Sequence, residues 1–131
     1  MIKRYLAKII AKDSQGLQLI SACCAGAKVK IIEIKYLPKN KIFLLSLERL
    51  SKEANNDNLK INSICKFEFV DSVKSKNVDQ NDLNLLLELF TIELLKNKEN
   101  HEINLIFSNN AYITLSTEIV EVTLEDQNKD L

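Results

Sequence analysis

The first part of the chain alternates apolar and polar residues and then changes to a helical period. Residues 3–11 alternate and contain β-branched and aromatic side chains, which predicts a strand. Asp13 can cap a helix over residues 14–25, and Gly26 stands where a C-cap glycine belongs. The predicted apolar face of this helix comprises Leu17, Ile20, Ser21 and Cys24. Its small residues allow close packing against a sheet.

Two apolar runs separated by a turn predict a β-hairpin. The runs cover residues 29–36 and 42–47, and Leu37–Asn40 forms the turn, because proline cannot donate to a strand ladder and asparagine tolerates turn dihedrals. The Asn-rich stretch 51–58 is polar and predicts a surface loop. From Leu59 the chain alternates again, which predicts one strand reaching Val73 with a bulge near Val70.

A leucine-rich run over residues 83–95 fits two structures. Its helical interpretation has an apolar face of Leu83, Leu86, Leu87, Phe90 and Leu94. Alternation of Leu85, Leu87 and Leu89 fits a strand, although leucine is a good helix former and the periodicity favours a helix.

The remaining segments predict a charged loop, a hairpin and a final element. Residues 96–102 form the loop, residues 103–107 and 112–115 are strands, and Asn109-Asn110 is the hairpin turn between them. Residues 117–126 fit either a strand or a helical turn.

The predicted elements define a single α+β domain over residues 1–131, with a polar tail from about residue 127. A mostly antiparallel sheet of about six or seven strands curves around the early helix, and a second, C-terminal helix remains open. A partly closed barrel of the pleckstrin-homology type and a flat two-layer sandwich both satisfy this pattern.

Composition excludes several classes of protein. Hydrophobic residues make up 46% of the chain, which excludes general disorder. The two glycines, Gly16 and Gly26, cannot form a glycine-rich phosphate loop. No segment has the apolar run of a signal peptide or of a membrane helix, so we expect no membrane partner. Three cysteines, two of them adjacent, predict a reducing compartment and a cytoplasmic location.

The zero net charge is a cancellation between two halves. Residues 1–65 hold 12 basic and 5 acidic residues, and residues 66–131 hold 6 basic and 13 acidic residues. If the halves occupied different faces, the protein would be dipolar, which favours self-association or a charged partner. The lysine-rich first half also leaves weak nucleic-acid binding open, through lysine–aromatic pairs such as Lys35-Tyr36 and Lys66-Phe67.

Candidate chemistry is sparse. The single histidine, His101, lies in the predicted loop between Glu99 and Glu102, where a solvated side chain is the ordinary interpretation and a general base the functional one. Glu125 and Asp126 are typical of a solvated chain end. The cysteines and His101 lack the spacing of a zinc site. We therefore expect no catalytic constellation, no metal and no cofactor.

Arg49 is the most informative polar residue, because the chain has 16 lysines and only two arginines, Arg4 and Arg49. A guanidinium can make a bidentate contact with a carboxylate or phosphate of a ligand, or form an internal salt bridge at the strand end. Arg49 and Tyr36 are the candidate binding residues.

The order of these positions resembles a known family. The first half of the motif is D-x-x-x-L-x-x-I-S-A from Asp13 to Ala22, followed by Ala27, Val29, Tyr36–Pro38, Phe43–Leu45 and Arg49. The second half is Phe67–Val70, Val73, Ser75, the leucine run, Ile103–Phe107, Ile113, Leu115, Glu118, Leu124 and Asp126. Over residues 5–126 the chain resembles a bacterial family catalogued as domain of unknown function 2948.

The chain departs from the family pattern at three places. Family members carry aromatic residues where Leu50 and Lys52 stand beside Arg49, which weakens a binding surface built around that arginine. They also carry a glycine-rich turn at Asn109-Asn110. The resemblance implies a strand over residues 83–95, and the family has no assigned activity.

Three functions follow as hypotheses. The first is a small cytoplasmic binding or protein-interaction module, including one that self-associates. The second is an enzyme with a site near Arg49 and Tyr36, which requires a polar-lined pocket there. The third is weak nucleic-acid binding through the lysine-rich half, which must fall steeply with salt.

Overall fold

The computed structural model describes residues 8–52, 58–96 and 99–127 as one α-helix, ten strands and a short 3₁₀ helix. In chain order they are β1 (Lys8–Ala11), α1 (Ser14–Cys24), β2 (Ala27–Lys30), the 3₁₀ helix (Ile31–Glu33), β3 (Ile34–Leu37), β4 (Ile42–Lys52), β5 (Asn58–Phe67), β6 (Val70–Lys76), β7 (Leu86–Lys96), β8 (His101–Phe107), β9 (Tyr112–Thr117) and β10 (Val122–Asp126). The α+β class is confirmed, with more strands than predicted.

All ten strands form one antiparallel sheet that does not close into a barrel. The strand order is β1-β10-β5-β4-β2-β7-β8-β9-β6, and β3 pairs with β4 beside β2. Two predicted strands are each divided in two, which accounts for much of the excess. The 3₁₀ helix interrupts the predicted strand over residues 29–36. Phe69, with φ of +59°, lies between the end of β5 and the start of β6 and so divides the predicted strand that begins at Leu59.

Helix α1 forms where the local signals predicted it. The Asp13 carboxylate accepts a hydrogen bond from the Gly16 N–H at 2.7 Å, and Gly26 adopts φ of +84° after the C-cap. The helix buries Leu17, Ile20 and Cys24. It packs across β7, where the Ser21 hydroxyl accepts the Ile92 N–H at 2.9 Å and so satisfies a strand group that β2 does not reach.

The leucine run is the strand β7, as the family resemblance implied, and the helical interpretation is wrong. Its alternate residues Leu87 and Leu89 enter the core, and a bulge between Leu89 and Thr91 shifts the register with β8. Burial in a sheet overrides the helical propensity of leucine here. The final segment is β10, and the described residues contain no second α-helix.

Two predicted loops are shorter than expected. Strand β4 continues to Lys52 and β5 begins at Asn58, so residues 53–57 of the predicted loop lie outside the described residues. Strand β8 begins at His101, which was predicted to lie in a loop. His101 pairs with Lys96 of β7 and Thr117 of β9. The start of the first predicted strand and residues 128–131 of the tail also lie outside the described residues.

The core is a cluster of buried hydrophobic side chains from α1 and from the inner face of the sheet. It includes an edge-to-face pair of Phe43 and Phe67, with ring centroids 5.9 Å apart at 61°. Every second residue of β8, namely Ile103, Leu105 and Phe107, is buried, which confirms the alternation predicted there.

The two oppositely charged halves of the chain interleave. Lys8 of β1 pairs with Glu125 of β10 in strand register, and Lys28 of β2 lies opposite Glu88 of β7. Opposite charges facing each other across strands stabilise the sheet locally. At these described positions the halves therefore meet rather than separate onto two faces.

Candidate functional site

Tyr36 lies on β3 and ties this strand to β6. Its phenolic O–H donates to the Val70 carbonyl at 2.8 Å, and the Val70 N–H donates to the Lys41 carbonyl at 2.8 Å. These two bonds hold the start of β6 against the β3–β4 turn. Within the described residues, β3 and β6 do not pair as strands.

A cleft lies between β3 and β6. It has a volume of about 450 Å³, and its walls are formed by Ile31, Ile32, Ile34, Tyr36, Val73, Ser75, Val78, Gln80 and Leu83. Its floor is formed by Phe43 and Ile113, both almost completely buried, so the cleft reaches down to the core. We call it the Tyr36 cleft. Its volume is in the range of pockets that bind small apolar groups.

The mouth of the Tyr36 cleft is apolar and exposed. Ile32 and Leu83 line it and are 56% and 58% exposed. The loop that carries Leu83 is held by two short-range turns, in which carboxylates accept backbone N–H groups, and by the Ile31 N–H, which donates to the Leu85 carbonyl at 3.1 Å. The mouth is therefore presented by a well-bonded segment.

The polar groups of the Tyr36 cleft are few and uncharged. None of the described residues that line it is charged. The Tyr36 O–H donates to the Val70 carbonyl, and the Gln80 amide donates to the Ser75 hydroxyl at 3.2 Å. Because a charged ligand would lose its hydration without a partner here, the cleft favours an uncharged apolar group.

Arg49 lies in a second, very different environment. On the inner face of β4, its Nε donates to Asp126 Oδ1 at 2.9 Å and its Nη2 to Asp126 Oδ2 at 2.6 Å. Ser63 donates to Asp126 Oδ1 at 2.6 Å and accepts from Arg49 Nε at 3.2 Å. We call these three residues the Arg49 cluster. All three are less than a tenth exposed.

The strand register explains how the Arg49 cluster forms. Ser63 pairs with Asp126 across β5 and β10, and with Leu47 across β5 and β4. Arg49, two residues beyond Leu47, lies on the same face and reaches diagonally to Ser63. The hydrogen bond with Asp126 raises the pKa of the Arg49 guanidinium above its ordinary value. The pair is bidentate and buried, the arrangement that suits arginine and not lysine.

Two buried thiols lie near this cluster. Burial, with a smaller contribution from the neighbouring Cys23, raises the pKa of Cys24 to about 12. Burial also raises the pKa of Cys65 well above its usual value. Because the thiolate is the reactive form, we expect both side chains to react slowly in the folded protein and to act as packing groups.

The two candidate binding residues are not brought together. Tyr36 pairs with Phe43, and Arg49 lies six residues further along β4, about 20 Å away at the rise of a strand. Arg49 lines none of five clefts on the described part of the chain. Its guanidinium is hydrogen-bonded to Asp126. Arg4 lies outside the described residues.

Sequence reasoning missed several residues of these two regions. Asp126 was expected at a solvated chain end, and this interpretation is wrong: the carboxylate is buried because β10 pairs with β5 as far as Ser63. Nothing local marked Ser63. One signal for the cleft was present: Ile31 and Ile32 are consecutive in a run that otherwise alternates, so both cannot face the core.

The other candidate residues lie apart from both regions. His101 is half-buried, and its Nδ1 has no hydrogen-bond partner among the described residues. The Oγ1 of Thr117, opposite it in register, likewise has none there. Phe67 is completely buried, so Lys66-Phe67 offers no aromatic platform. In the described part of the chain, no three histidine, cysteine, aspartate or glutamate side chains are grouped as a metal site.

Fold and geometry define a small α+β protein with a single antiparallel sheet, a buried ionic cluster and a separate apolar cleft. The chain belongs to the family described as protein of unknown function DUF2948, whose model matches residues 7–131. No curated protein and no solved structure gave a significant match. Across the described residues, no helix has the length and apolar character needed to cross a membrane.

Proposed function

We propose that this protein is a binding module that takes up an uncharged, apolar group of an interaction partner in the Tyr36 cleft. The observation that carries the proposal is the cleft itself. Its floor is part of the core, its lining is uncharged, and Ile32 and Leu83 extend its apolar surface into solvent. Exposed apolar residues around a cleft are typical of interaction sites.

In this proposal Tyr36 and Arg49 have different roles. Tyr36 shapes one wall of the cleft and holds β3 to β6. Arg49 stabilises the fold, since both of its carboxylate contacts are internal. We also propose a reducing, cytoplasmic compartment, which is supported by Cys23, Cys24 and Cys65 all being free thiols.

The experiment uses N-phenyl-1-naphthylamine, an uncharged apolar dye whose fluorescence rises when it leaves water. We expect it to bind the wild-type protein, and Ser75→Arg to weaken binding at least tenfold, because Ser75 lines the cleft and an arginine there introduces a charge.

Ser72→Arg is the matched control, on the same strand but not lining the cleft. It should leave the dissociation constant within twofold of wild type. Absence of dye binding to the wild type, or equal losses in the two variants, would contradict the proposal.

A further inference from the structure

Strand β6 borders the Tyr36 cleft with an open edge. It pairs with β9 along one edge, and at its other edge Val70 bonds to Lys41 and Tyr36. Within the described residues, no strand pairs with residues 71–76 on this second side. An open strand edge presents backbone groups that can pair with a further strand.

The side chains along this edge alternate between the cleft and the solvent. Val73 and Ser75 line the cleft, whereas Lys74 and Lys76 do not line it and are exposed. Strand β3 repeats the pattern across the cleft, with Lys35 exposed between two lining residues. A segment added along β6 would therefore place every second side chain in the cleft and the others beside lysines.

The charges along this edge lack counterparts. Among the described residues, neither Lys74, Lys76 nor Lys35 has a carboxylate within 4.0 Å, whereas Lys41 has Asp71 at 3.0 Å. Lys28 on β2 has no described carboxylate within 4.0 Å either, but it lies opposite glutamates on both neighbouring strands. The open edge thus offers basic side chains to acidic positions on an incoming strand.

We propose that the occupant of the Tyr36 cleft is an extended segment of a partner protein, with alternating apolar and acidic residues, which adds as a strand to the open edge of β6. Backbone hydrogen bonds to β6 supply affinity, and the cleft and the lysines supply specificity. This inference rests on the proposed function, because the apolar half of the segment enters the same cleft.

The test uses two blocked seven-residue peptides, one alternating valine with glutamate and one alternating valine with lysine. We expect the glutamate peptide to bind at least tenfold more tightly and to lose affinity as salt is raised. In NMR spectra of the labelled protein, it should shift the amide signals of residues 73–76. Equal affinity for the two peptides, or shifts confined to β1, would overturn the inference.

Charge reversal provides the second arm. The double variant Lys74→Glu and Lys76→Glu changes two exposed side chains and should reverse the peptide preference, whereas Lys60→Glu on β5 should leave it unchanged. An unchanged preference in the double variant would also overturn the inference. If N-phenyl-1-naphthylamine binds the cleft and neither peptide binds, the inference of an added strand is wrong and the proposed function stands. If neither the dye nor a peptide binds, both the inference and the proposed function are wrong.

Discussion

The Arg49 cluster and the Tyr36 cleft lie at opposite ends of β4 and differ in almost every property. The cluster is charged and buried, with the Arg49–Asp126 contact closed by two hydrogen bonds. The cleft is uncharged and apolar, and its mouth is open to solvent. Arg49 was a candidate for binding a ligand because arginine is rare in this chain, but its guanidinium is paired with Asp126 of the same chain. Our proposal therefore places binding at the open apolar surface and not at the rare charged residue.

The largest expected effect breaks the cluster. Asp126→Ala leaves the Arg49 guanidinium buried without its partner and should lower the free energy of unfolding by about 3–5 kcal/mol. Urea unfolding of the purified variant measures this. Glu125→Ala, at the exposed neighbouring position, is the control and should change stability by less than about 0.5 kcal/mol. Equal effects at the two positions would contradict a structural role for the cluster.

The second prediction concerns the thiols beside the cluster. The rise of the Cys24 pKa from 9.0 to about 12 lowers its thiolate fraction about a thousandfold. In the native protein at pH 8, a thiol-specific reagent should therefore label Cys23, which is half-buried, much faster than Cys24 or Cys65. Mass spectrometry of the labelled peptides gives the three rates, and all three should converge in urea. Rapid labelling of Cys24 in the native protein would contradict the burial of this thiol beside the Arg49 cluster.

The third prediction concerns the cleft. Tyr36→Phe removes the bond to the Val70 carbonyl and should cost about 1 kcal/mol of stability, with faster amide hydrogen exchange at the start of β6. Tyr112→Phe is the control, because the described residues include no hydrogen-bond partner for that hydroxyl, and it should have almost no effect. If Tyr36→Phe were equally neutral, the Tyr36 bond would not hold the corner of the cleft together.

The smallest expected effect is a pH-dependent one on the outer face, away from both regions. The hydrogen bond with Glu121, followed by burial, raises the pKa of Glu68. A raised pKa means that the protonated carboxyl stabilises the fold at acid pH, and that this contribution is lost as pH rises through the folded-state pKa. Glu68→Gln should therefore stabilise the protein by a few tenths of a kcal/mol at pH 7, since solvent screens the pair, and by nothing near pH 4. Urea unfolding at the two pH values checks this, with Glu125→Gln as a control that should give no gain at pH 7.

Local signals predicted the local features of the fold. Asp13 caps the helix and Gly26 follows its end with positive φ, because both effects act within a few residues. Asn109 and Asn110 adopt positive φ in the predicted turn for the same reason. The leucine run was ambiguous because leucine at every second or every third position fits both periods, and only pairing with β2 and β8 decides between them.

Contacts between distant segments could not be predicted in this way. Arg49 and Asp126 are separated by 77 residues, and nothing in the sequence near Asp126 distinguishes a buried carboxylate from a solvated one. The Tyr36 cleft likewise depends on β3 and β6 both lining it without pairing, which is a property of the sheet topology. Ile32 and Leu83 become its mouth only after the chain has folded.

The most direct test of the account removes each region in turn and measures the same binding. The triple variant Arg49→Met, Ser63→Ala and Asp126→Leu replaces the cluster with apolar side chains, a change that folded proteins often tolerate. Titration with N-phenyl-1-naphthylamine should give this variant a dissociation constant within twofold of wild type, whereas Ser75→Arg should bind at least tenfold more weakly. Loss of dye binding in the folded triple variant, with binding retained in Ser75→Arg, would place the binding surface at the cluster and contradict the account.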